Sequence, residues 1–391
     1  MPSASLPRFL VLYGGLFAAF GTASPFLPGL LQQRGLDHAQ IGAVLAAGTA
    51  IRLIAGPLGC RLADRLGMQR QVLALLTAAS SAMAVGYLLP GGFATLLLVS
   101  IAHAALLAPI VPLSDALALR AAPGRFEYGW VRGAGSAAFI AGAAGAGQMI
   151  EIHGLESIIW LNAVLLLLAA LAAMQVPNAL HTPSRTQHSL SAMALLRIPG
   201  FVRLMVVAAL VQGSHALHDG FAVLRWREAG IGPGTAGLLW SEAVLAEVVV
   251  FVLLGGMALR RLGPRGAALL AAAAGVLRWG VTATTAWLPA MALVEPLHGL
   301  TFALLHLACM RLMGATVPPH LAATAQAVYG TVAVGAVSAV LTLVSGTLYG
   351  RFGADAFWVM AFLCAAAVPV AWTLRDPTQS EPRQALPGYR S

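Results

Sequence analysis

RGLDHAQIGAVLAAGTAIR, residues 34–52, and EAGIGPGTAGLLWSEAVLAE, residues 228–247, are two readings of one pattern. Gly35 falls on Gly230, Gly42 on Gly237 and Arg52 on Glu247, each at an offset of 195 residues. His103 meets His298 at the same offset. DRLG at 64–67 matches RRLG at 260–263 at an offset of 196, and YGxV at 128–131 recurs at 329–332 at 201. Single matches arise easily in Ala/Gly/Leu-rich helices. A nearly constant offset held through several apolar segments is stronger, and it says that the chain contains two copies of one unit.

Composition places that unit in a membrane. Of 391 residues, 59% are hydrophobic and only 9% charged, and the mean hydropathy is +0.82. A soluble domain carries about 25% charged residues. A chain with so little charge cannot keep a soluble surface wet, so lipid replaces water over much of it. A span needs ~20 mostly apolar residues. On that scale helices fall at roughly 8–31, 40–62, 71–90, 93–118, 129–150 and 157–176, then at roughly 200–224, 235–258, 266–288, 290–313, 323–349 and 356–374. The polar gap from Pro177 to Pro199 divides them into two sets of six. The expected organisation is all-α: an N-terminal six-helix bundle (1–176), a cytoplasmic linker (177–199), a C-terminal six-helix bundle (200–374) and a cytoplasmic tail (375–391).

The basic residues give the orientation. All 23 are Arg. With both termini cytoplasmic, sixteen lie in inside segments and four outside, a clear positive-inside bias. The other three, Arg52, Arg132 and Arg278, fall within spans. The net charge of +9 does not point to nucleic acid, because no long basic run or array of stacking aromatics accompanies it. Arg8 precedes an apolar run that continues past signal-peptide length, which reads as an uncleaved first helix. Cys60, Cys309 and Cys364 lie in or beside apolar segments without a CxxC, so neither a disulfide framework nor a zinc site is expected.

Two sets of six spans and the loop GCRLADRLGMQR (59–70) resemble the major facilitator superfamily, whose signature there runs roughly G-x-x-x-D-R-x-G-R-R. Asp64, Arg65 and Gly67 fit; Cys60, Met68 and Gln69 depart from it, and Arg70 remains of the basic end. PLSDAL (112–117), YGWVRGAGSAAF (128–139), QGSHA (212–216), LWSEAVLAEVVVF (239–251), GVLRWG (275–280), HLACMR (306–311) and FWVMA (357–361) are similar to the 3-phenylpropionate permease branch. His218, Asp219, Glu242 and Glu295 depart from it. The resemblance implies a proton symporter, related to nucleoside and lactose permeases, that imports an aromatic carboxylate across a bacterial inner membrane by alternating access. Transporters built from parallel repeats match the duplication as well.

Charge inside a span costs ~3 kcal/mol or more at the helix centre, so ionisable residues there have a task or a partner. Arg52, with a planar fork that matches a carboxylate, is the expected anchor for the substrate anion, or else a structural partner within the first bundle. Glu247, its repeat partner, is the expected proton carrier, or else a permanent mate of Arg278 on the next span. Low-dielectric surroundings favour a neutral carboxyl and a nearby cation favours a carboxylate, so a group between them can load and release a proton. The resemblance implies substrate or gating contact for Asp115 and Arg132, with an interfacial pair as the alternative. His215, His218 and Asp219 are spaced i, i+3, i+4 on one face and suggest a proton relay, cavity lining or a satisfied helix contact; no third ligand points to metal. His103 and His298 read as cavity residues or as buried rings bonded to backbone, with His306 two turns beyond His298. Gln212 and Gln326 suit substrate or a helix contact, and Glu242 and Glu295 suit an outer vestibule. The glycines at 133, 135, 142, 145 and 147 read as packing positions, and the absence of a following Pro opposes drug efflux.

No phosphate loop, GxSxG or HExxH is present, so no cofactor and no ATP-driven step is expected. An intramembrane transferase would have no reason for matched halves. Nucleoside or sugar symport and efflux remain alternatives on the same scaffold. The expected partners are a small organic anion, protons and the bilayer, with the protein a monomer.

Overall fold

The computed structural model describes residues 5–177 and 192–374, and every regular element in them is helical. The expected linker lies mostly outside the described residues and the expected tail wholly outside. The first part holds α1 (Ser5–Ala23), α2 (Leu27–Gln33), α3 (His38–Leu66), α4 (Gln69–Val85), α5 (Phe93–Leu107), α6 (Ile110–Ala121), α7 (Tyr128–His153) and α8 (Ser157–Ala173). The second opens with α9 (Ala192–Leu195), α10 (Pro199–Gly213), α11 (His215–Glu228), α12 (Pro233–Val249) and α13 (Gly255–Thr284). It closes with α14 (Leu288–Val294), α15 (Leu305–Thr316), α16 (Ala322–Val328), α17 (Val337–Phe352) and α18 (Ala356–Trp372).

Among the described residues, eight helical runs are long and apolar enough to cross a membrane. Two of them, Pro233–Thr284 and Pro319–Trp372, hold 52 and 54 residues and reverse partway. Gly263 (φ 65) turns the first and Gly353 (φ 54) the second. Gly263 is the repeat counterpart of Gly67, whose φ is 64. Both sit in the left-handed region that a Cβ disfavours, which explains why DRLG and RRLG end on the same residue. The counterparts Gly35 (φ 88) and Gly230 (φ 83) also agree.

Three predicted spans are broken rather than continuous. Pro25 and Pro109 lack the amide that continues a helix, and the chain leaves helical form beside each. Between α10 and α11, Ser214 Oγ turns back to the Val211 carbonyl at 2.6 Å and accepts from Trp279 Nε1 at 2.8 Å. Three π-helical segments, Val250–Leu254, Gly299–Leu304 and Tyr329–Ala336, lie within other spans.

Apolar residues surround these helices on all sides, and the small ones face inward. On α8, Ala169 and Ala173 are fully buried, while Leu168 and Leu171 stay 52% and 56% exposed where lipid would cover them. On α7, a methyl at Gly142 would strike the Ala18 carbonyl, so glycine lets α1 and α7 touch. Between the halves, α3 packs on α17 and α7 on α12. Both crossings close at the same end of the molecule. A Cβ at Gly42 would lie 2.8 Å from Gly346 Cα, and one at Gly237 2.5 Å from the Ala143 carbonyl. Hydrogen bonds cross there from Arg227 to Gln32, from the Gly234 amide to Glu151 at 2.9 Å, and from Ser241 to the Ile140 carbonyl at 3.0 Å. At the opposite end α6 and α15 pack within their own halves.

Candidate functional site

A cavity of about 510 Å³ lies between the halves. Its walls follow the repeat. On α3, Leu45, Gly48, Thr49 and Arg52 line it; on α12, Trp240, Ala243, Val244 and Glu247 do. The two sets are spaced i, i+3, i+4, i+7, which is one helical face, and correspond at 195 residues. α3 is started by a reciprocal cap between Asp37 and Gln40, and it sets that face towards the centre.

The first half contributes a cation without a counterion. Arg52 makes no ion pair or hydrogen bond among the described residues; its electrostatic neighbours are Tyr87 and His103. His103 stands edge-on to Tyr87 with centroids 5.7 Å apart, and its buried Nε2 has no partner. Around them lie Phe20, Phe139, Ser100 and Asn162. The first half therefore brings a guanidinium to this space, with Tyr87 and His103 beside it.

The second half contributes acids and histidines in a connected chain. Arg278 and Glu295 are fully buried and meet at 2.5 Å. Glu295 also lies 3.2 Å from His218 Nε2, and Arg278 lies 3.1 Å from His298 Nδ1. His298 Nε2 is 3.5 Å from Glu247, and His218 Nδ1 is 3.4 Å from Asp219. His218 stacks on Trp240 at 5.1 Å, and His298 stacks on Phe302 at 5.4 Å. The chain thus runs from one cavity carboxylate, through a buried ion pair, to another. Asp219 is 59% exposed to the cavity side among buried neighbours, and Glu247 is 25% exposed. Removing a buried charge's partner leaves it uncompensated, so Arg278 and Glu295 depend on each other.

These contacts correct two expectations and divide the residues of a third. Arg278 does not pair with Glu247; its carboxylate is Glu295, and Glu247 reaches His298 instead. Glu295 is not a vestibule charge, because the 3₁₀ turn Glu295–Leu297 folds it beneath α13 with no exposure. His215, His218 and Asp219 do not share one environment. His215 is buried between the Gln212 carbonyl at 3.0 Å and Thr301 at 2.9 Å, while His218 and Asp219 reach the cavity.

The other candidates divide as follows. Arg52, His103, His218, Asp219, Glu247 and His298 line the cavity. Asp115 is outside its lining and accepts from the hydroxyls of Tyr13 and, at 2.7 Å, Tyr128. Gln212 donates to the Tyr329 hydroxyl at 3.0 Å, a helix contact. Arg132 covers the Phe17 ring at 4.9 Å and lies within electrostatic reach of Glu247. In the loop signature, Gly67 ends α3 while Asp64 accepts from Gln69 at 2.5 Å. Gln69 in turn accepts from Arg120 at 2.7 Å, so the amide that replaces a basic residue bridges α3 to α6. Arg65 is exposed and Arg70 is half-buried. Tyr87, Trp240 and Phe302 also line the cavity, and nothing in the sequence marks them. An aromatic in an apolar span carries no mark of facing a cavity, although Trp240 lies two helical turns before Glu247 on the same face.

A family model described as the MFS_1 like family matches residues 6–360. The chain is 35% identical over 372 residues to the probable 3-phenylpropionic acid transporter of Escherichia coli (strain K12), covering 92% of this chain and 96% of that one. It is 26% identical over 362 residues to the maltose permease of Geobacillus stearothermophilus, covering 91% of each. Among solved structures it resembles a point mutant of the nucleoside transporter NupG with a TM-score of 0.81 at 17% identity, covering 94% of this chain and 98% of that one.

Proposed function

The chain belongs to the MFS_1 like family and is a multi-pass membrane transporter, and on that premise we propose that it imports a small aromatic carboxylate together with protons. One observation carries this reading: Arg52 faces the central cavity with no acceptor among the described residues. A guanidinium placed in a membrane interior without a counterion is costly unless a bound anion supplies one. Its planar fork suits a carboxylate. Phe20, Tyr87, Phe139, Trp240 and Phe302 surround the same space with aromatic surface. The 35% identical relative is by its name a transporter of such an acid.

Proton coupling rests on Glu247 and its link through His298 to the Arg278–Glu295 pair. A carboxyl between an apolar wall and several cations holds a proton in one arrangement and yields it in another. The reading places twelve spans in a bacterial inner membrane as two six-helix bundles with both termini cytoplasmic. The end sealed by Gly42, Gly346 and Gly237 is then periplasmic, and the cavity opens to the cytoplasm. Parting of α3 from α17 and of α7 from α12 would expose Arg52 to the other side. Asp64, Arg65, Gly67 and Arg70 lie in the loop at the cytoplasmic end, where such motion is braced.

Uptake of labelled phenylpropionate into proteoliposomes under an imposed pH gradient tests the function. Accumulation is expected with acid outside, and it should stop when a protonophore collapses the gradient. Glu247→Gln should lose accumulation yet keep exchange of internal for external substrate. Should Arg52→Gln leave uptake and affinity unchanged, the carboxylate reading fails. Counterflow with a labelled nucleoside and a sugar serves as the control for other cargo.

A further inference from the structure

The cavity is bipolar. Its first-half wall carries Arg52 without an acid, and its second-half wall carries Asp219 and Glu247. Each of these carboxylates touches one histidine, at 3.4 Å and 3.5 Å, long contacts that leave most of its acceptor sites unfilled. Arg278 does not neutralise this wall, because Glu295 takes it up at 2.5 Å. A plain aromatic acid would satisfy Arg52 and press bare ring against the polar oxygens of Asp219 and Glu247. Desolvating those oxygens without giving them a donor costs affinity.

We propose that the acid carried here bears a hydroxyl on its ring, remote from the carboxylate, which donates to Asp219 or Glu247. This deepens the carboxylate reading and rests on it. The two ends of such a molecule match the two walls: anion to guanidinium, donor to carboxylate. A neutral hydroxyl fits better than a second charge, since an ammonium would give up its hydration among Trp240, Phe302 and the positive Arg132 nearby. It also gives specificity, because a site built to accept a hydrogen bond rejects the analogue without the donor.

Calorimetric binding to the purified full-length chain in nanodiscs tests the proposal with phenylpropionate and four relatives. These are the para-hydroxy acid, the para-methoxy acid, the para-aminomethyl acid and the carboxamide of the para-hydroxy acid. The hydroxy acid is expected to bind about tenfold more tightly than the parent, ~1.4 kcal/mol. The methoxy acid, which cannot donate, should lose that gain. In Asp219→Leu or Glu247→Leu, which remove the acceptor, the hydroxy-to-parent ratio should fall toward one. The methoxy comparison uses the unaltered protein and stands even where a variant does not fold. Equal or tighter binding of the parent, a ratio unchanged in both variants, or tightest binding of the aminomethyl acid overturns the proposal. A carboxamide that binds as well as its acid removes the carboxylate reading itself, which separates the two failures.

Discussion

Arg278 and Glu295 are both fully buried, 2.5 Å apart, with Arg278 Nε and Glu295 Oε1 lacking any partner. Each holds the other's charge in surroundings that would not tolerate it alone. Glu295→Ala should therefore destabilise the protein by about 3–5 kcal/mol, read as a lowered midpoint of thermal unfolding in detergent. Adding Arg278→Met to Glu295→Leu should recover part of that loss, since two apolar groups need no partner. If the double variant is less stable than either single one, the pair is not mainly a matched charge. Arg52 differs, because its counterion is proposed to be the substrate. Arg52→Lys keeps the charge but loses the two-pronged geometry, so binding of the carboxylate should weaken by roughly tenfold while thermal stability without substrate holds. At this scale the sequence located charge well and pairing badly. Arg52, Glu247, His103 and His298 came from the repeat offset and all line the cavity. Glu295 reads from the sequence as a vestibule charge, because its place near the start of a span says nothing of the turn that tucks it under α13.

The elements that matter for opening and closing are the two helix pairs at the sealed end. α3 meets α17 through Gly42 and Gly346, and α12 meets α7 through Gly237 and Ala143. Gly42→Val would place its side chain within 2.8 Å of Gly346 Cα and hold the pair apart. Spin labels on α3 and α17 at that end should then separate by several ångströms, and uptake should fall strongly. Gly133→Ala is the control: nothing lies within 4 Å of its Cβ, and uptake should be unchanged. Small residues were legible from the sequence as packing positions, but not which helix each would meet. The breaks at Pro25 and Pro109 were written in residue type. The π-helical segments were not, since each inserts a residue into a turn without any marker in side-chain chemistry.

Over the whole molecule, two halves share faces, offsets and glycine conformations, and the tight backbone approaches through Gly42, Gly346 and Gly237 gather at one end. Halves expressed as separate chains, cut within 177–199, should reassemble and restore uptake in part; failure to co-purify would oppose two independently folding bundles. What the sequence determined alone was the solvent, the helical class, the family likeness and which ionisable residues fall within spans. Those follow from local chemistry: apolar length, the 3.6-residue period, and the cost of charge in lipid. What only the tertiary structure decided was partnership. Arg278 with Glu295, Asp115 with two tyrosines, and Arg52 with nothing depend on how far each helix is rotated and shifted by its breaks. A turn of one residue moves a side chain by about 100° around its helix, a quantity that long-range packing sets and local sequence does not.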